Sequence, residues 1–308
     1  MRIFITGGTG FIGKALTKLL IQRGYEILVL TRGLNKSENR EYEQIQYVEG
    51  NLQDCTRLEN IIKGFNPYFV IHLAWEGLPD YSMEFCRKNL EYGINLFNAS
   101  VKAGCLNILS TGSCWEYSAR KGSLSEESKL DATSIFPAVK NVLRFYGEAL
   151  VQKTMGKFYW LRLFYVYGPG QRKSSLIPHI IDSLHKGETP QCRTPYNRND
   201  FVYIDDVVRA IAGIIEKQPD GTVYNIGSGF SCEVMEVIRQ VSESKGHYFD
   251  VERYSGLDST MINDKADENT INFWADISRL SKDTGWVPEY SLISGIEATL
   301  SGYHMEIK

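Results

Sequence analysis

Long apolar runs are missing from this chain. No stretch of 18 apolar residues occurs in its 308 positions, so it has no candidate for a membrane-spanning helix. Met1 passes directly into the short run Arg2–Thr6, so no cleavable leader is expected and the expected location is the cytoplasm. Paired cysteines are missing too. Cys55, Cys86, Cys105, Cys114, Cys192 and Cys232 form no C-x-x-C pair, and none has a histidine at ligand spacing. Reduced thiols are expected, with neither a zinc site nor a disulfide framework. Charge of one sign is not in excess: 34 basic side chains face 37 acidic ones, for a net charge of −3. No basic stretch is long enough to follow a polyanion backbone, which argues against nucleic-acid binding. Internal repeats and low-complexity tracts are also absent.

What remains is an ordinary globular composition, 43% hydrophobic and 23% charged. The first half alternates strand-like and helix-like patterns. Strands are expected at Arg2–Thr6, Glu26–Leu30, Ile45–Glu49, Tyr68–Leu73, Asn107–Thr111 and Phe158–Leu163. Helices are expected from Phe11 to about Arg23, from Met83 to Ala103 and over 137–154. Such βα alternation requires a doubly wound parallel sheet with helices on both faces. After Gly168-Pro169-Gly170 the pattern loosens. Leu176–Lys186 reads as helical, Asp200–Tyr203 as extended, Asp205–Lys217 as a helix capped by Asp205, and Tyr224–Ile226 as a strand. The segment 252–270 reads as a loop, Asp276 as the start of a helix and Gly285 as its end. The division falls near 168, giving lobes 1–168 and 169–308, with parts such as 200–216 returning to the first.

Gly7, Gly10 and Gly13 lie between the first strand and the first helix. A dinucleotide pyrophosphate needs backbone N–H groups free of β-carbons at the positive end of a helix, and this turn has that arrangement. The stretch Thr6-Gly7-Gly8-Thr9-Gly10-Phe11-Ile12-Gly13 resembles the NAD-dependent epimerase/dehydratase family, the extended short-chain dehydrogenases/reductases. So do Val70–Ala74, Asn89 with Gly93–Leu96, Arg162–Gly170, Phe201–Val207, Tyr224–Gly227 and Trp286–Pro288. The resemblance runs nearly the full length. It implies a Rossmann-type cofactor domain with a smaller α/β lobe for a nucleotide sugar, and a homodimer through the two long helices at 83–103 and 137–154.

On this resemblance the cofactor would lie against Gly7, Thr9, Gly10, Phe11, Ile12 and Gly13, against Leu73 and Ala74, and against Phe164 and Val166. Asn51 and Leu52 would flank the adenine. An NAD enzyme of this fold usually ends its second strand with an acid for the ribose 2′-hydroxyl. Here that place is Thr31-Arg32, with Lys36 or Arg40 behind, which suits a 2′-phosphate and points to NADP(H).

At the reacting end Ser113 falls on the family's hydroxyl position, where it would hydrogen-bond the sugar oxygen; a strand-end serine capping a turn is the lesser alternative. Lys140 stands at the lysine of Y-x-x-x-K, where the resemblance implies a ribose contact. The tyrosine of that motif is Phe136, which cannot deliver a proton. Tyr117, Tyr165 and His179 are possible substitutes. Dehydratases of the family place Asp-Glu after the hydroxyl residue; this chain has Cys114-Trp115, so elimination lacks its acid and base. Trp75, Cys114, Trp115 and Tyr165 are expected beside the sugar. Arg172, Arg193 and Arg198 are candidates for its pyrophosphate, since the family's usual arginine is Asn199 and a second has only Lys265 near.

Together these readings point to NADPH-dependent reduction of a nucleotide-linked 4-keto-6-deoxy sugar; the run Ser175–Leu184, the segment with Cys192 after it and Phe201–Val208 resemble the CDP-abequose synthases and related 4-keto reductases. A 4-epimerase or dehydrogenase with tightly held dinucleotide is the alternative. A catalytically dead NADP sensor is the rival from another class.

Overall fold

The computed structural model describes residues 1–306 apart from 34–44, 132, 193 and 245–269. Lys36, Arg40, Arg193, Lys265 and nearly all of the expected 252–270 loop lie outside the described residues. In chain order the elements run β1 (Arg2–Thr6), α1 (Phe11–Gln22), β2 (Glu26–Thr31), β3 (Ile45–Glu49), α2 (Cys55–Phe65), β4 (Phe69–His72) and α3 (Met83–Lys102). They continue with β5 (Asn107–Ser113), β6 (Lys121–Leu124), α4 (Ile135–Gln152), β7 (Phe158–Leu163) and β8 (Tyr165–Tyr167). Then come α5 (Leu176–His185), β9 (Arg198–Asn199), β10 (Phe201–Tyr203), α6 (Ile204–Lys217) and β11 (Val223–Ile226). The chain ends with β12 (Cys232–Glu233), α7 (Val234–Ser244), β13 (Asn272–Ala275), α8 (Ser278–Thr284) and α9 (Leu292–Glu306).

Seven strands form one parallel sheet in the order β11-β7-β5-β4-β1-β2-β3. The strand residues divide between its two faces with period two. Ile3, Ile5, Ile27, Val29 and Ile71 join Leu16, Leu20, Val207 and Ile211 of α1 and α6. Phe4, Leu28, Val70 and Ile108 join Leu58, Leu96 and Leu143 of α2, α3 and α4. Burial on both faces is why these strands read as unbroken apolar runs. The order turns back between β1 and β4, and at such a switch point the strand ends part to leave a crevice.

Local chemistry corrects three expectations. Helix α2 was not anticipated, because its apolar positions are few; Asp54 caps it by accepting the Arg57 N–H at 2.9 Å. Helix α4 starts at Ile135, two residues early, since Pro137 in a first turn has no N–H to waste. Asp205 is not a cap. Helix α6 begins at Ile204 with Tyr203 at its cap position, and it is Asp206 that is buried, accepting the Glu289 and Tyr290 N–H groups at 2.9 and 3.1 Å.

The second sheet runs β12-β9-β13-β6, while β8 and β10 pair in parallel. Buried Asp200 joins these parts. Its carboxylate accepts N–H groups of Ser228, Ala275 and Gly229 at 2.6, 3.0 and 3.1 Å. No helix among the described residues is long and apolar enough to cross a membrane.

Candidate active site

A cleft of about 1100 Å³ opens at the carboxyl ends of β1, β2, β4, β5 and β7. The glycine turn forms its floor. Gly7 has φ +77°, and a Cβ there would stand 2.6 Å from the Ala74 nitrogen. A Cβ on Gly13 would stand 2.1 Å from the Gly7 oxygen, so the start of α1 can approach β1 only with glycine at both places. Gly10 precedes α1 and no side chain caps that helix, which leaves its first N–H groups to an anion. These features fit a dinucleotide pyrophosphate.

Thr9, Phe11 and Ile12 line the same end, as do Asn51, Leu52, Leu73 and Ala74. Asn51 shapes its loop, with Oδ1 accepting the Gln53 and Asp54 N–H groups at 2.9 and 3.1 Å. Arg32 also lines the cleft, and its guanidinium meets Glu76 at 3.1 Å. Glu76 holds Lys88 as well, at 2.6 Å.

At the other end Lys140 is nearly buried. Its Nζ donates to the Thr111 carbonyl at 2.8 Å and lies 4.0 Å from the centroid of the Trp75 ring. Burial lowers its pKa to about 8, against a smaller upward pull from Glu116. Phe136 sits one turn back on α4, in contact with three rings. Their centroids lie at 4.7 Å for Tyr81, 5.2 Å for Trp75 and 6.1 Å for Trp115. Cys114 is buried among Tyr117, Phe164 and Phe273, and burial pushes its thiol far above the ordinary range.

Ser113 ends β5 and caps a short turn. Its Oγ accepts the Trp115 N–H at 3.2 Å, while its own N–H donates to Glu116 Oε1 at 2.8 Å. Ser113 thus caps a turn and also lines the cleft. Beneath it Glu116 accepts from Arg162 Nε at 2.8 Å and from Trp160 Nε1 at 3.0 Å. The polar chain continues from Arg162 Nη1 to the Tyr117 hydroxyl at 3.0 Å, and from that hydroxyl to Asn225 Oδ1 at 2.6 Å. Tyr117 is fully buried with its proton committed to Asn225. It is therefore not a substitute for the missing tyrosine.

The structure thus brings Ser113, Lys140, Phe136, Trp75, Trp115 and Tyr165 to one cleft with the glycine turn, and Phe164, Val166 and Arg172 join them. Tyr165 receives the Trp115 indole N–H at 3.3 Å. His179 does not line the cleft. Neither does Arg198, which faces Glu233 at 3.6 Å and donates to the Ser231 carbonyl. Three participants escaped the sequence reading. Glu116 carries a signal, the S-x-x-E spacing of a capping box from Ser113. Glu76 and Tyr81 carry none, because their partners are distant in sequence.

Residues 3–227 match the NAD dependent epimerase/dehydratase family. A probable dTDP-glucose 4,6-dehydratase of Sinorhizobium fredii is 26% identical, the match covering 98% of this chain and 93% of that protein. A dTDP-4-dehydro-6-deoxyglucose reductase of Escherichia coli is 26% identical over 96% of this chain and 95% of that one. Among solved structures, a UDP-glucose 4-epimerase from Thermotoga maritima, crystallised with UDP-glucose, superposes with a TM-score of 0.84 over the whole of both chains at 22% identity. With its glycine turn, its switch-point cleft and this match over most of its length, the chain belongs to the NAD dependent epimerase/dehydratase family.

Proposed function

We propose that the protein reduces a nucleotide-linked 4-keto-6-deoxy sugar with NADPH. One observation carries the reaction class. Among the described residues that line the cleft, Glu76 is the sole carboxylate, and it is engaged by Arg32 and Lys88. A 4,6-elimination needs an acid and a base beside the sugar, and the place for them holds a buried thiol and an indole. Reduction asks for less. A bound reduced dinucleotide would supply the hydride, held by the glycine turn and Lys140. Ser113 would hydrogen-bond the ketone oxygen and, backed by water, pass it a proton. Lys140 would hold the nicotinamide ribose and sustain that relay with its charge. The walls of Trp75, Tyr81, Trp115 and Phe136 suit a sugar that has lost its 6-hydroxyl.

Arg32 at the end of β2 supports a 2′-phosphate, and Arg172 at the cleft mouth supports the substrate's pyrophosphate. The location we infer is cytoplasmic. The dimer face we place on α3 and α4, where Met83, Val142 and Phe145 are exposed. Phe136, packed among rings with no hydroxyl of its own, favours the second reading, an NADP sensor without turnover. Mixing the protein with NADPH and a panel of nucleotide-linked 4-keto sugars, while following nicotinamide absorbance, separates the two. Binding without oxidation across the panel would leave the sensor.

A further inference from the structure

Glu76 has no part in the reaction just proposed, yet it stands between two cations inside the cofactor cleft. Its Oε2 meets Arg32 Nη1 at 3.1 Å and its Oε1 meets Lys88 Nζ at 2.6 Å. The backbone beneath is fixed. Asn89 Oδ1 accepts the Glu76 N–H at 2.7 Å, and Asn89 Nδ2 donates to the Glu76 carbonyl at 2.8 Å. The sheet order sets β1 between β2 and β4. An acid from the exit of β4 therefore reaches over β1 to the arginine at the end of β2. That end is where this fold reads the 2′ position of a dinucleotide.

We propose that Glu76 is a specificity-determining residue that tempers the preference for NADPH by competing with the 2′-phosphate for Arg32. The proposal rests on the reading of Arg32 as the phosphate's partner. The Arg32 side chain is 75% exposed, and an ion pair so exposed is weak enough to exchange. A phosphate monoester carries more charge than a carboxylate and can take the guanidinium from it. Lys88 makes the exchange smooth: it stays on Oε1, so the carboxylate keeps a cation when Arg32 leaves. A 2′-hydroxyl offers the guanidinium no such trade. NADH should therefore be nearly indifferent to the pair.

The test is cofactor binding followed by nucleotide fluorescence, which needs no substrate and no turnover. Glu76→Gln keeps the shape and removes the competing charge. It should tighten NADPH about threefold or more, the scale of one exposed ion pair, and change NADH less than twofold. Lys88→Met should act in the opposite direction, because Glu76 then has Arg32 alone to hold. The gain from Glu76→Gln should disappear in an Arg32→Ala background, as coupling through that arginine demands. An unchanged or lowered NADPH/NADH preference in Glu76→Gln overturns the proposal, as does a gain that persists without Arg32. If Arg32→Ala alone leaves NADPH affinity untouched, the reading of Arg32 falls and the proposal falls with it. If Arg32→Ala weakens NADPH while Glu76→Gln does nothing, only the proposal fails.

Discussion

Glu116 and Arg162 form an ion pair at 2.8 Å in which neither side chain has measurable contact with solvent beyond 1%. The pair ties the turn after β5 to β7, and Ser113 hangs from the same carboxylate by its N–H. Removing one partner of a buried pair leaves the other uncompensated, at a cost of roughly 3–5 kcal/mol. Glu116→Gln should lower the denaturation midpoint accordingly and loosen the Ser113 turn. A variant unfolding at the parent's denaturant concentration would show that the pair contributes no net stability.

The role proposed for Arg32 is tested by cofactor choice. NADPH should bind at least about tenfold more tightly than NADH, or about 1.4 kcal/mol, and Arg32→Ala should remove most of that difference. Equal dissociation constants in the unmutated protein would remove the basis for NADP.

The source of the proton separates three hydroxyl variants in steady-state reduction. Ser113→Ala should lower turnover on the order of 10²-fold, the scale of a lost general acid. Tyr81→Phe should cost much less if Ser113 is the source, although Tyr81 is the phenol nearest Phe136 in ring contact. Phe136→Tyr adds one oxygen and should leave activity equal or higher. Full activity in Ser113→Ala, with loss in Tyr81→Phe, would move the proton to Tyr81.

Lys140 gives the rate an alkaline limit. Burial lowers its pKa to about 8, so the ammonium proposed to hold the ribose is lost as pH rises through that value. The pH profile of kcat/KM should fall above about pH 8, and Lys140→Met should be slow with that limb abolished. An unaltered limb in Lys140→Met would assign it to another group.

His72 makes stability sensitive to acid. It is buried, its Nδ1 lies 2.7 Å from Thr6 Oγ1, and burial lowers its pKa from 6.5 to about 3. Between those values the unfolded chain binds a proton that the folded chain refuses. Stability should therefore fall as pH drops from 6.5 toward 3, by up to about 1.4 kcal/mol per pH unit from this residue. Urea titrations at stepped pH should show a shallower slope in His72→Gln.

The parallel sheet was legible because its central strands are buried on both faces and spell apolar runs, as Phe69–His72 does. The glycine turn was legible because its spacing answers to backbone geometry. Phe136 was legible as a substitution against a motif. Helix α2 was not, since most of its surface faces solvent and only Leu58 and Ile62 are buried. Arg198 misled because charge alone does not tell which way a side chain turns, and Glu233 had already engaged it. Glu76 could not be read at all, for nothing in a linear sequence announces that the exit of one strand reaches the end of another.

The path of the chain through the sheet also governs how the molecule can be divided. Strand β11 closes the edge beside β7, and α6 covers the face that α1 shares, yet both follow Gly168. A chain cut after Gly168 would keep the glycine turn, Ser113 and Lys140. It would also leave β7 with an unpaired edge, and it would bare Leu16 and Leu20 on α1, which lie in one core with Val207 and Ile211 of α6. Such an edge is a template for aggregation. Such a piece would keep the residues proposed to hold the dinucleotide and lose the walls around them, so cofactor binding and the integrity of the downstream sequence should be lost together.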